Sequence, residues 1–462
     1  MALVNENQLT QGSISKALIK LAVPIIGTAF LQTAYTITDM FWIGKVGTEA
    51  AAAVGTGGFF TWLAMAFILL SKVGAEIGVA QSIGKDDIKE AKRYIRHTVQ
   101  LNVFLAILYA AVLIIFNKQL IGFFDLGDAH VIEMATSYLV IVSMGFIFYF
   151  INPVLTAILN GYGDSKTPFY INMIGLVTNM ILDPLLIMGV GPIPAMGVKG
   201  AAIATVIAQF AVTVAFILRI IIGKVELFKD VDFLKKPDMY HIKYIVNLSL
   251  PVAVQNALFS IIAMFIAKII ANWGATPIAV QKIGSQIESI SWMTAGGFST
   301  AISTFVGQNY GAKKWDRIYK GYFIAIGLVS IVGVGATLLL TLGAGPIFSL
   351  FLSDDPEAVA QGITYLKILG VSQLFMCIEI TTGGAFNGLG KTVPPSVTSI
   401  LLNALRIPGA MILSSTVLGL NGVWWSISMS SIFKGIILTG WFILFLRKNS
   451  YHLCEKEEVT VA

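Results

Sequence analysis

Twelve stretches of about twenty or more predominantly apolar residues follow one another along this chain. They lie near 16–42, 50–81, 94–116, 131–158, 168–189, 196–219, 241–270, 277–307, 320–342, 359–386, 393–417 and 421–446. A run of that length crosses the hydrocarbon core of a bilayer as an α-helix, because every backbone N–H and C=O must find its partner inside the chain. The sequence therefore predicts an all-α polytopic membrane protein. Its charge content agrees: 12% of residues are charged and mean hydropathy is +0.80, where soluble domains carry about 25% charged residues. The second, fourth, eighth and tenth runs are overlong, which predicts tilting or projection beyond the bilayer.

Lys and Arg fall on alternate connections. One side receives Lys16 and Lys20, the cluster Lys85–Arg96, Lys166, the stretch from Arg219 through Lys224 to Lys243, Lys313–Lys320, Lys391, and Arg447, Lys448 and Lys456. The other side holds only Lys45, Lys118 and Lys199. The positive-inside rule then places both termini in the cytoplasm of a cell with a plasma (inner) membrane, which requires an even number of spans. The polar first fifteen residues predict no cleavable signal peptide.

The chain also repeats itself. LAVP at 21–24 matches LSLP at 248–251, and AQSIGKDD at 80–87 matches GQNYGAKK at 307–314. SYLVI at 137–141 matches TYLKI at 364–368, and NGYGDSKTP at 160–168 matches NGLGKTVPP at 387–395. All four pairs share an offset of 227 residues, and GVKGAAIA at 197–204 matches GLNGVWWS at 419–426 after a five-residue deletion. Each half thus holds six helices in one order. An even offset gives both halves the same topology, so they are expected to be related by a pseudo-two-fold axis along the membrane normal, around a midplane cavity. The predicted division is an N-lobe at 1–218, a cytoplasmic linker at 219–243, a C-lobe at 244–447 and a tail at 448–462.

The first span, LAVPIIGTAFLQTAYTITDMFWIG at 21–44, combines Pro24 with a lone acid, Asp39. An ionised side chain at the bilayer centre costs roughly 2.5–3.5 kcal/mol on insertion scales, so such an acid normally faces a protein interior or a water-filled path. Pro24 removes a helical hydrogen bond and permits a bend. Other chemistry is thinly represented. Cys377 and Cys454 form no metal or disulfide pattern, and His97, His130, His241 and His452 lack zinc-ligand spacing. The spans hold no nucleophile–base pair for an enzyme, and no phosphate-binding glycine-rich loop for ATP. The net charge of +6 resides in loops and gives no nucleic-acid signature.

These stretches resemble the multidrug and toxin extrusion (MATE) family. The likeness lies in the first span, in AAAVG at 51–55, in NGYGDSKTP, in Asp183–Pro184, in GVKGAAIAT, in AVQKIG at 279–284 and in GQNYGA at 307–312. It implies a monomeric secondary antiporter that exports organic, cationic small molecules in exchange for H⁺ or Na⁺ by alternating access, with no other cofactor. Carried over from the DinF-type and archaeal branch, the cation-coupling residues are Asp39, Asp183, Asn179, Tyr35, Asn152 and Thr205, and Pro24 is the point of bending. Asp39, Asn179, Asp183 and Thr205 are the implied Na⁺ ligands. Another branch places an acid on the seventh helix, where this chain has Phe259 and Ser260. The alternative within the wider superfamily is a lipid-linked oligosaccharide or peptidoglycan-precursor flippase, which would favour cationic residues at its site.

Asn179 and Asp183, like Tyr35 and Asp39, are four residues apart and share a helical face. Each also has a structural alternative. Asp183 is compatible with an interfacial acid, Asn179 with an interhelical hydrogen bond, and Thr205 with a hydroxyl bonded back to its own helix. In the second half, Glu288, Glu379 and Met293 are the cavity candidates, with Trp292 beside them. Glu379 is the repeat counterpart of Asn152, and Arg406 that of Asn179. An Arg406–Glu379 ion pair, or a Glu288–Lys282 pair, would make these charges structural.

Overall fold

The computed structural model describes residues 9–461 apart from 190, 224 and 352–354, with side chains through 449. Lys224, His452, Cys454 and Lys456 lie outside the described side chains. All regular structure among the described residues is helical. The first six spans are α1 (Ile14–Val46), α2 (Thr48–Gly84), α3 (Ile88–Ile115), α4 (Ala129–Met144 and Phe146–Tyr162), α5 (Lys166–Asp183) and α6 (Gly197–Ile222). The second six are α7 (Met239–Ile270), α8 (Ala275–Gly311), α9 (Trp315–Leu342), α10 (Pro356–Gly370 and Gln373–Gly388), α11 (Val393–Ala404 and Arg406–Ser414) and α12 (Leu420–Val461). The overlong runs have two explanations. α2 and α8 are single helices of 37 residues, whereas α4 and α10 are broken, with bends of 51° and 48°.

The repeat extends from letters to geometry. The breaks at Gly145 in α4 and at Ser372 in α10 are 227 residues apart, as are the short helices Asn117–Gly122 and Ala344–Ser349. Gly163 and Gly390 take the left-handed conformation after α4 and α10, with φ of 101° and 72°, which a residue with a Cβ adopts only at a cost. Asp164 then accepts from the Thr167 backbone N–H at 3.0 Å and starts α5. Packing repeats too. The Tyr138 ring lies over Gly57 in one half and Tyr365 over Gly284 in the other. Gly161 meets the Glu76 carbonyl, and Gly388 the Ser303 carbonyl, so closely that a Cβ would stand 2.6 and 2.4 Å from those oxygens. Helices in lipid gain no hydrophobic drive against one another, and small residues provide close backbone contact instead.

The chain divides into two compact units, at Val23 and at Pro251. Val23–Leu250 forms the N-lobe; residues 9–22 belong with the residues from 251 onward, the C-lobe. This differs from the linear division at 219–243. The boundaries fall at the two repeat-related prolines, because each half's leading helix begins in the other half's unit. In the N-lobe the Gly74 backbone N–H donates to Ser249 Oγ at 2.9 Å, and Gln100 Nε2 donates to the carbonyls of Phe233 and Lys235. In the C-lobe, Arg317 donates to the carbonyls of Leu9, Gln11 and Gly12, and Lys314 Nζ donates to that of Thr10.

The histidines are less scattered than their spacing suggests. His97 and His241 stack at 4.9 Å between ring centres, and their ligand atoms cluster with that of Asp238. Both nitrogens of His97 are engaged, however: Nδ1 donates to the Arg93 carbonyl and Nε2 accepts the Asp238 backbone N–H. His241 bonds the carboxylates of Asp238 and Glu90, and its hydrogen bond holds the Asp238 carboxyl below the usual carboxylate range. The group ties the linker to α3.

Gly161→Ala and Gly388→Ala are each expected to lose about 1–3 kcal/mol, because rigid backbone meets the added methyl. Gly335→Ala, which has open space, is the control. Thermal midpoints of the three purified variants in detergent give the comparison, and equal midpoints would contradict the close packing.

Candidate functional site

Asp183 ends the regular part of α5. Pro184 has no N–H to continue the α-helical pattern, and the next turn, Pro184–Gly189, is a π-helix. α6 closes against this turn at Gly200, where a Cβ would stand 2.2 Å from the Leu186 carbonyl oxygen. Asp183 itself is completely buried, 0% exposed. Asn179, one turn earlier and equally buried, donates from Nδ2 to Asp183 Oδ1 at 2.9 Å. α1 supplies Tyr35 and Asp39, and α6 supplies Thr205. Asp39 acts on Asp183 through space, and the Tyr35 hydroxyl is neighbour to Thr205, Asp39 and Asp183.

The hydrogen-bond account of this group is incomplete in one consistent way. Tyr35 OH, Asp39 Oδ1, Asn179 Oδ1, Asp183 Oδ2 and Thr205 Oγ1 are all buried, and none makes a hydrogen bond of ordinary geometry. Thr205 therefore does not bond back to its own helix. An unsatisfied buried polar atom costs about 1–3 kcal/mol, and two carboxylates in a low-dielectric interior also repel. All five atoms are oxygens from uncharged or anionic groups. Such a set suits a hard cation, and a proton at one carboxylate would relieve the same repulsion.

Asn152 stands apart from these five. Its Nδ2 donates to Gln209, at the backbone carbonyl and at Oε1, both at 2.9 Å, and its Oδ1 accepts from Thr213 at 2.8 Å. These bonds fasten α4 to α6. A tyrosine of α4, Tyr138, stands near the acids instead, with Tyr149 beside it. The matched SYLVI and TYLKI motifs held a clue to Tyr138, since its counterpart Tyr365 bonds the other lobe's Glu288. Pro24 lies inside α1, and the Thr28 hydroxyl donates to its carbonyl at 3.0 Å.

Neither of the two ion pairs weighed as structural alternatives for the C-lobe acids forms among the described residues. Glu288 is bonded not to Lys282 but to Tyr365 OH at 2.7 Å and Gln373 Nε2 at 2.9 Å. Glu379 pairs with Lys434 at 3.0 Å rather than with Arg406. Lys434 was invisible as a partner because it lies 55 positions away, on another helix. Met293 and Trp292 are half-buried on α8.

The MatE family model matches residues 24–185 and 251–412, two segments offset by the same 227 residues. The chain belongs to the MatE family. It is 30% identical over 436 residues to the "Probable multidrug resistance protein NorM" of Thermotoga maritima, covering 93% of this chain and 92% of that one. The "FAD transporter" of Shewanella oneidensis is 23% identical over 93% of this chain and 94% of its own. Among solved structures, a MATE protein in its bent conformation superposes with a TM-score of 0.89 at 23% identity, over 97% of this chain and 99% of that one. The straight conformation gives 0.88 at 24% identity, over 96% and 98%. These matches establish the two-lobe, twelve-helix fold. This MatE protein is a multi-pass membrane transporter of small molecules and not an enzyme.

Tyr35→Phe removes a hydroxyl that lies beside Thr205 without a hydrogen bond of ordinary geometry. The variant is expected to match or exceed the wild-type thermal midpoint without added cation, and to lose much of any stabilisation by Na⁺ or by acid. A lower cation-free midpoint would mean that the hydroxyl has a structural partner.

Proposed function

We propose that this MatE protein is a secondary antiporter that exports organic cationic compounds in exchange for H⁺ or Na⁺. The five unsatisfied oxygens of Tyr35, Asp39, Asn179, Asp183 and Thr205 carry this reading. A cation or proton entering this group satisfies atoms that the protein alone leaves without partners. Asn152 supports the site by holding α4 and α6 together. Occupancy would neutralise the Asp39–Asp183 pair and favour a bend of α1 at Pro24, which expels the substrate. The ion shifts this equilibrium only by its differential affinity for the two states. The location of Pro24 at the boundary between units favours it as the hinge. Loop charge supports cytoplasmic termini in a plasma membrane, and the protein would act as a monomer within lipid.

The related proteins are named for multidrug resistance and for FAD transport, so family membership leaves the substrate class open. Flipping of a lipid-linked precursor remains the second reading, favoured by the buried cations Arg406 and Lys434. The N-lobe cluster, with two acids and no base, favours the first.

Proteoliposomes with a Na⁺ gradient or a pH gradient, imposed separately, test the antiport. One of the two gradients is expected to drive uptake of a fluorescent organic cation. Asp39→Asn should abolish that drive, and Pro24→Ala should slow it several-fold while sparing expression. Full gradient-driven transport by Asp39→Asn would refute the site, and a response to neither gradient would turn the reading toward flipping.

A further inference from the structure

The two lobes carry opposite chemistry at equivalent positions. Where the N-lobe has Tyr35, Asp39, Asn179 and Asp183, the 227-residue repeat gives the C-lobe Ile262, Ile266, Arg406 and Ala410. Every acid of the N-lobe group is replaced by an apolar residue, and a carboxamide by a guanidinium.

Arg406 is 9% exposed and is the first residue of the second segment of α11. Its bonds are to neutral atoms. Nε donates to Ser430 Oγ, and Nη2 donates to Ser431 Oγ at 3.0 Å. Both hydroxyls spend their own protons on the Ile427 carbonyl, so their lone pairs face the guanidinium. Ser426 fixes the backbone by donating to the Arg406 carbonyl at 3.0 Å. Among the described residues Arg406 forms no salt bridge and Nη1 no hydrogen bond. Glu288 and Glu379 act on it through space, but each is committed elsewhere, to Tyr365 and Gln373 and to Lys434. The cation is thus oriented by dipoles and left without a contacting anion.

Its surroundings suit an amphiphilic ligand. The guanidinium carbon lies 6.0 Å from the centre of the Phe259 ring, and that ring is 40% exposed. Asn256 and Ser260 share the helical face with Phe259. Asn256 Nδ2 donates to the Val252 carbonyl at 2.9 Å and Ser260 Oγ to the Asn256 carbonyl at 3.1 Å, which leaves the Asn256 side-chain oxygen beside the ring. The start of a helical segment adds a weak positive potential.

We propose that Arg406 is the docking point for a carboxylate on the transported compound, with Phe259 as the platform for an adjoining aromatic ring. This rests on the reading of the chain as an exporter and narrows its substrates to amphoteric aromatic compounds, which carry an acid as well as a cation. The acid meets Arg406 in the C-lobe. A charge-assisted hydrogen bond of this kind separates ligands with and without the acid by roughly tenfold or more.

Rhodamine 110 and its methyl ester, rhodamine 123, share a xanthylium ring system and differ in the free carboxylate. Fluorescence polarisation with the full chain in phosphatidylcholine nanodiscs reads their Kd values. The wild type is expected to bind rhodamine 110 at least tenfold more tightly. Arg406→Gln should remove that preference by weakening rhodamine 110 alone, and Arg406→Lys should retain part of it. Ser430→Ala with Ser431→Ala, which keeps the charge but frees its orientation, should reduce it if Arg406→Gln does not fold. Equal wild-type binding of the two dyes, binding of neither, or an equal loss of both in Arg406→Gln would overturn the proposal. Binding separates this site from the antiport reading. A carboxylate preference without gradient-driven transport keeps the first and removes the second, and gradient-driven transport without preference does the reverse.

Discussion

Hydrocarbon offers no hydrogen bonds, and that single deficit shapes this protein. Any interruption of a helix must be satisfied from within the chain. The interruptions are accordingly few and built in pairs. α4 and α10 break at the equivalent positions Gly145 and Ser372, and α5 and α11 are also both interrupted, α5 by a wider π-turn after Asp183 and α11 by a break at Leu405, whose repeat counterpart is Thr178. Glycines at the helix crossings make this possible by bringing neighbouring backbones close. Gly200 lies against the Leu186 carbonyl and Gly422 against that of Leu413, so the ends of both spans are backed by a helix at the same place in the repeat.

The symmetric frame carries an asymmetric content. The residues that repeat are those that turn, cap and pack: Gly57 with Tyr138, Gly284 with Tyr365, Gly161, Gly388, Pro24 and Pro251. The residues that differ are the polar groups in the lobe interiors. One half gathers oxygens that lack partners; the other gathers two acids and two bases whose bonds are nearly complete. Duplication has preserved the scaffold and released the interior to diverge, as expected when a fold is held by close backbone contact rather than by its polar groups.

Much of this was legible in the letters. The spans came from apolar length, the overlong runs marked the long or broken helices, and the constant offset anticipated shared breaks and left-handed turns. Five of the six cation-coupling residues carried over by resemblance meet at one place in the N-lobe. What the letters concealed was pairing across helices. Lys434 with Glu379, Gln373 with Glu288 and Gln209 with Asn152 join residues on different spans. A 3.6-residue period reports which face a side chain occupies, not which neighbour it meets. The lobe boundaries were hidden for a similar reason, because contacts between residues distant in sequence place the start of each lobe's leading helix in the other lobe's unit.

The clasp on the start of the chain has a further consequence. Arg317 and Lys314 hold the carbonyls of Leu9, Thr10, Gln11 and Gly12, atoms that every amino acid carries alike. The letters are therefore constrained unevenly: Thr10 and Gln11 are held by atoms that any residue supplies, whereas Leu9 is buried and Gly12 is left-handed, with φ of 71°. What the clasp fixes along its whole length is the number of residues between it and the proline of α1.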